Sequence, residues 1–292
     1  MERLDHKTLL DAQAHFGHLR RKWNPKMLPY IFGEKKGIHI IDLNRTAEKL
    51  EEAATAARSI AKSGRKIMFV ATKKQAKDVV KQAATRVGMP YVTERWLGGM
   101  LTNFTTIRKS IKKMQSIEKM LGDGTLESVT KKEKLVLTRE KEKMEKVLGG
   151  IAGMNRVPAA LFLVDIMHEH IGLKEAQRLN INTIGMVDTN SDPTKVDFAI
   201  PANDDAATSI ALITNYIADA IAEGLAERTA NAEGSDQSEE EDNFDDASLN
   251  AEVGSEEDKG DGKGRGRKRT TGAGGQGRSR TRTGTGAGGP KK

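Results

Sequence analysis

Apolar residues follow two alternating patterns along most of the chain. Short runs rich in β-branched and aromatic residues read as buried strands: IHIIDL (38–43), KIMFVAT (66–72), AALFLVD (159–165), NTIGMVD (182–188) and DFAIP (197–201). Tyr91–Thr93 starts a shorter one. Between these runs, apolar positions recur at helical spacing. Residues 45–62 place Ala47, Leu50, Ala54 and Ala57 on one face, with Asn44 as cap and Gly64 as stop. Residues 74–87 follow the same rule and close at Gly88 and Pro90. A short helix is predicted at 171–180. A long one at 203–228 is capped by Asn203 or Asp204 and striped by Ile210, Ile213, Ile217, Ile221 and Leu225. Strands alternating with helices predict an α/β fold, with five parallel strands in a flavodoxin-like, Rossmann-like order.

Residues 103–148 break the alternation. No strand-like run occurs there. Asn103 can cap a helix with Ile107, Ile111, Met114, Ile117 and Leu121 on one stripe. A turn at Gly122-Asp123-Gly124 leads to a second helix, 129–148, with Leu137, Met144 and Leu148 facing back. The stripe is narrow, and residues 104–148 hold 12 basic and 7 acidic side chains. This pattern predicts an antiparallel two-helix coiled-coil hairpin inserted at 103–149. Ordinary helices packed on the sheet are the competing reading.

Charge divides the remainder. Residues 233–258 carry 12 acidic and no basic side chains, and residues 259–292 carry 11 basic and 1 acidic. The body before them keeps 37 basic and 28 acidic residues, net +9 out of +7 for the whole chain. The tail composition, acidic then Arg/Gly-rich, predicts disorder, because scattered apolar groups cannot offset chain entropy. The expected organisation is an α/β domain from 1–102 plus 150–232, the hairpin, and the tail 233–292. The chain has no cysteine, which excludes disulfides, thiolate zinc sites and cysteine nucleophiles. MERLDHKTLLDAQ has no apolar leader, and no run reaches membrane length. A soluble cytoplasmic protein with no membrane partner is expected.

A parallel sheet invites a nucleotide enzyme, but the phosphate loops are missing. LNRTAEK and ATKKQAK stand where a glycine-rich loop would be needed, and neither GxxxxGK[ST] nor GxSxG occurs. His168 and His170 in MHEH read as exposed residues at a helix start. No enzyme and no small-molecule substrate are expected. RNA-binding features are denser. In HFGHLRRKWNPKMLPYIFGEKKG (15–37), basic residues surround Phe16, Trp23, Tyr30 and Phe32 in what reads largely as loop. Candidate contacts are Arg20, Arg21, Lys22, Trp23, Asn24 and Lys26. In TERWLGGMLTNFTTIRKSIKK (93–113) they are Arg95, Gly98, Gly99, Thr102, Asn103, Arg108, Lys109 and Lys112. Cations meet phosphates, aromatics stack, and glycines allow close backbone approach. Trp23 and Phe32 serve equally well as core anchors.

Taken with FVATKKQAKDVV, ERWLGGMLTNFTTI, PAALFLVD and VDTNSDPTKVDFAIPANDDA, these stretches closely resemble the bacterial small-subunit ribosomal protein two family, collinearly over residues 4–228. The resemblance implies a Rossmann-like domain with a coiled-coil protrusion and binding to small-subunit ribosomal RNA near the head–body junction. It also implies neighbouring ribosomal proteins, and recruitment of the mRNA-binding ribosomal protein one. The tail departs from the common family pattern, so its role does not carry over. An RNA-binding regulator acting off the ribosome is the alternative.

One constellation stands apart. His15 and His18 form HxxH, Asp188 ends a predicted strand, and Asp204 and Asp205 begin the last helix. Both carboxylate positions fall at the carboxyl edge of the sheet, where ligands converge. Imidazole plus carboxylate suits a divalent metal such as zinc. Caps and ordinary hydrogen bonds are the competing reading, and no cofactor is expected to be required.

Overall fold

The computed structural model describes residues 4–122 and 130–233. The expected turn past Gly122 and the expected tail past Glu233 lie outside the described residues.

The chain opens with a short helix, α1 (His6–Asp11), and an antiparallel sheet. Its strands β1 (Phe16–Leu19), β2 (Ile31–Lys35) and β3 (Ile38–Ile41) pair in the order β1-β3-β2. Two 3-10 turns, Arg20–Lys22 and Pro25–Tyr30, join β1 to β2. IHIIDL is therefore a strand, but not of the parallel sheet, and the stretch read as loop is mostly regular structure. The hairpin between β2 and β3 turns on Lys36 and Gly37, both at positive φ (54° and 77°). That twist suits a two-residue hairpin, but Lys is a weak turn signal.

From there the chain alternates. In order come α2 (Leu43–Lys62), β4 (Ile67–Val70), α3 (Lys77–Arg86), β5 (Tyr91–Val92), α4 (Phe104–Gly122) and α5 (Lys131–Leu148). They are followed by β6 (Ala160–Val164), α6 (His170–Arg178), β7 (Asn182–Val187), β8 (Phe198–Pro201) and α7 (Ala207–Glu233). Asp42, not Asn44, caps α2, its Oδ1 accepting the Asn44 N–H at 2.9 Å. The five strands β4 to β8 are parallel in the order β5-β4-β6-β7-β8, the flavodoxin-like order expected.

Strand alternation sorts the core into two layers. Ile67, Phe69, Ala160, Phe162, Val164, Ile184 and Met186 face α2, α3 and α7. Met68, Val70, Leu161, Leu163 and Val187 face the other way, toward α6, Met27, Trp96, Met100 and the base of α4 and α5. The Phe69 and Phe162 rings meet across the β4–β6 pair at 5.3 Å. α7 packs on both α2 and α3 and runs to Glu233, past the expected end. Gly224 makes its contact with α2 possible: a Cβ there would stand 2.5 Å from the Arg58 carbonyl oxygen.

α4 and α5 pair along the expected stripe. Ile107, Ile111, Met114 and Ile117 are buried on α4, and Leu148 on α5. Lys141 reaches Glu118 at 2.8 Å, and Lys113 pairs with Glu140. Thr130 and Glu133 form a reciprocal capping box at the start of α5. Among the described residues no helix is long and apolar enough to cross a membrane.

Candidate nucleic-acid interface

The antiparallel sheet docks on the carboxyl edge of the parallel sheet. Thr189, just after β7, accepts the His18 N–H on its hydroxyl at 2.8 Å and the Asn24 N–H on its carbonyl at 2.8 Å. Asn203, after β8, donates its backbone N–H to Ala14 and its side-chain amide to Gln13. Gly17 lies so close to Thr189 that an added Cβ would stand 2.6 Å from its methyl carbon.

Beside this contact lies a charged cluster in which Asp165, Asp188 and Asp204 are buried and Asp205 is exposed. His18 Nδ1 lies 2.8 Å from Asp188 Oδ2, and its Nε2 lies 3.5 Å from Asp205 Oδ2. Lys73, after β4, reaches Asp165, Asp204 and Asp205, each at 2.8 Å. Burial drives the Asp204 carboxyl up to about 7, helped by the charges of Asp165 and Asp188 and opposed by Lys73. The hydrogen bond to Asp188 raises His18 against the effect of its own burial. Burial opposes charge on Lys73 too, but the three carboxylates outweigh it and hold the ammonium charged.

One ligand atom each from His18, Asp188 and Asp204 lies within 4.8 Å of the other two. His15 is not in this group. Its ring lies 4.0 Å from that of Phe16, and its Nδ1 is buried without a hydrogen bond. HxxH brings two histidines together on a helix, whereas β1 is extended, where positions three apart face opposite ways. Sequence reading placed Asp205 beside Asp204 at this edge but missed Lys73 and Asp165. Their common signal is position, since each follows the carboxyl end of a parallel strand.

In this fold ligands enter where strand order reverses, here between β4 and β6. The chain fills that crevice itself. Thr72 donates its N–H and its hydroxyl to Glu169 Oε1 at 2.7 and 2.6 Å, and Lys73 is held by carboxylates. Groups that would meet a phosphate are already satisfied.

The basic residues of the first stretch differ in their freedom. Arg20 pairs with Glu34 at 3.1 Å on the surface. Arg21 and Lys22 are exposed and make no ion pair among the described residues. Trp23 is half-buried, its ring 5.3 Å from that of His39. Asn24 caps the 3-10 turn by accepting the Lys26 N–H at 3.0 Å. Lys26 is bound to Asp192 at 2.7 Å and to Thr194 at 3.1 Å. Phe32, at 78% exposed, is no core anchor.

In the second stretch Arg95, Gly98 and Asn103 are open to solvent. The N–H groups of Gly99 and Thr102, expected to meet phosphate, instead donate to Glu175 at 2.8 and 3.2 Å. Asn103 Oδ1 accepts the Thr106 hydroxyl at 2.8 Å at the start of α4. Lys109 and Lys112 are exposed on α4 and Arg108 is half-buried. Met27, Trp96, Met100 and Leu101 belong to one apolar cluster, so both stretches are anchored on the same face of the parallel sheet.

Fold and site thus define a class: a basic α/β scaffold with a helical hairpin, its ligand edge sealed by its own side chains. Residues 9–224 match the family described as Ribosomal protein S2. Small ribosomal subunit protein uS2 of Cytophaga hutchinsonii is 61% identical over 227 residues, covering 78% of this chain and 89% of that one. The same-named protein of Porphyromonas gingivalis is 58% identical over 230 residues, covering 79% and 82%. That of Flavobacterium johnsoniae is 59% identical over 231 residues, covering 79% and 91%. The chain belongs to the ribosomal protein S2 family. It is a structural component of the small ribosomal subunit in the cytoplasm, with ribosomal RNA and ribosomal proteins as its partners, and is not an enzyme.

Proposed function

We propose that the chain holds small-subunit ribosomal RNA through two stretches anchored on one sheet face: Arg20–Lys26, and Arg95–Asn103 continuing into Arg108, Lys109 and Lys112. The observation that carries this is the exposure of Arg21 and Lys22 beside a half-buried Trp23. Phosphate contacts supply the affinity, and the folded turns supply shape. Reversing the charges of Arg20, Arg21, Lys22 and Lys26 releases the folded protein from small subunits and lowers the salt slope of RNA binding by about 1 per lost contact. Unchanged occupancy at matched stability removes this stretch from the interface.

Recruitment of ribosomal protein one is the finer part of the reading. Exposed Phe16, Leu19, Leu28 and Phe32 give the antiparallel sheet and its 3-10 turn an apolar character suited to a protein neighbour. Phe32→Glu with Leu28→Glu should strip protein one from subunits while this chain stays bound. Retention of protein one would exclude that surface.

A divalent metal such as zinc is a second reading, for His18, Asp188 and Asp204. Asp204 Oδ2 is buried without a hydrogen bond, and Asp188 Oδ2 meets the His18 imidazole at 2.8 Å, which leaves lone pairs on both for a cation. The residues fit a three-ligand set, and bonds of about 2.0–2.2 Å would require His18 to draw back slightly from Asp188. Titration of the full-length protein with zinc should give saturable binding that His18→Ala abolishes. Binding unaffected by that change would refute the set.

A further inference from the structure

The loop after β5 is organised by α6, which sequence reading did not connect with it. Two residues one turn apart on α6 do this. Gly172 lets the Trp96 ring lie on the helix, for a Cβ there would stand 3.3 Å from ring carbons Cδ2 and Cε2. Glu175, three positions on, collects the donors of the loop. Its Oε1 accepts the Trp96 Nε1–H at 3.1 Å and the Gly99 N–H at 2.8 Å. Its Oε2 accepts the N–H groups of Leu101 and Thr102 at 2.9 and 3.2 Å, and the Thr102 hydroxyl at 3.3 Å.

Glu175 is buried, and among the described residues no cation pairs with it. Burial pushes its carboxyl up, but the N–H donors of Leu101, Trp96, Gly99 and Thr102 outweigh this and hold it below the usual range. A charge neutralised by backbone donors fixes backbone geometry. Each N–H has one direction, so one carboxylate satisfies them all only in one loop conformation. Gly99 takes a positive φ of 85° in that conformation. The outward side of the loop then carries Arg95, Gly98 and Asn103, and α4 begins at the next residue.

We propose that Glu175 is the positioning residue of the RNA interface: its carboxylate holds residues 96–102 in the RNA-bound conformation before RNA arrives and sets the angle at which α4 leaves the sheet. The proposal rests on the reading of Arg95–Lys112 as an RNA surface. It gives α6 a role that needs no RNA contact of its own. Removing the carboxylate transfers the cost of ordering this loop to the binding step.

The test uses the full-length protein and deproteinised small-subunit ribosomal RNA across a salt series. Glu175→Gln keeps the size of the side chain but turns an NH2 toward N–H donors. It should weaken binding about tenfold with the salt slope unchanged, because no phosphate contact is removed. Arg95→Glu with Lys109→Glu should lower the slope itself. If this pair has no effect, the RNA reading of the loop fails. If the pair acts and folded Glu175→Gln binds like the parent, the positioning role alone fails. Hydrogen exchange on the unmutated protein gives a check that does not depend on how the variant folds. The Gly99, Leu101 and Thr102 amides should already be protected without RNA. If they become protected only when RNA binds, the proposal is overturned.

Discussion

Lys26 illustrates how a side chain read as an RNA contact acquires a prior commitment. Its ammonium is 2.7 Å from Asp192, and Thr194 supplies a backbone N–H and a hydroxyl to the same carboxylate. Burial favours the neutral acid, yet these partners hold Asp192 at about 2, below its ordinary 3.8. A carboxyl depressed on folding stabilises the fold above its unfolded pKa and loses that contribution as pH falls through the folded value. Lys26→Ala should therefore cost stability above about pH 4, and the difference from the parent should shrink toward pH 2 and vanish below it. Urea midpoints of both proteins across that window are the measurement, and a gap undiminished at pH 2 would exclude the pair as its source. The same commitment ranks the RNA contacts. Arg21→Glu and Lys22→Glu should each weaken RNA binding more than Lys26→Glu, because Lys26 must first leave Asp192. Equal losses in a salt series would contradict the ranking.

Two element-level predictions follow from close approaches. A Cβ on Gly224 would overlap the Arg58 carbonyl of α2. Gly224→Ala should force α2 and α7 apart and cost about 1–3 kcal/mol in urea unfolding, despite the better helix propensity of alanine. The second concerns the hairpin. Its outer part packs on itself, but Ile107, Ile111 and Leu148 belong to the cluster that holds Trp96, Met100 and Leu101. Excising 113–142 with a glycine linker should leave the sheet domain folded. Excising 104–148 removes three buried aliphatic groups, at about 2–5 kcal/mol for each large core side chain lost, and should unfold it or nearly so. Thermal melts of the two truncations decide this, and equal melting temperatures would mean that the base contributes nothing to the core. The helices were legible because their apolar spacing is local. Their shared base was not, since it depends on residues far away in sequence.

Across the whole molecule, charge is the organising quantity. The body carries net +9, while the stretches after it carry opposite charge. We expect removal of 234–292 to leave the melting temperature and subunit incorporation nearly unchanged. Removal of 233–258 alone should strengthen nonspecific RNA binding by the free protein, because the basic block loses an acidic competitor in the same chain, an attraction that salt screens beyond roughly 8 Å at physiological strength. RNA affinities of the three proteins across a salt series test this. Weaker binding without the acidic block, or no change at low salt, would refute the competition.

The sequence by itself determined the alternation of strands and helices, the hairpin stripe and the basic character of the body. Each rests on periodicity or composition, which neighbouring residues carry. Only the tertiary structure decided that IHIIDL pairs antiparallel, because pairing partners are not encoded in a strand's own pattern. The separation of His15 from the His18–Asp188–Asp204 group was decided in the same way, by the extended course of β1. So was the placing of Lys73 among aspartates, since the carboxyl ends of four strands and His18 of β1 meet only in the folded chain. Glu175 is the clearest case. In sequence it is one acidic residue on an amphipathic helix. In the fold it faces a loop more than 70 positions earlier, because α6 packs where that loop crosses the sheet.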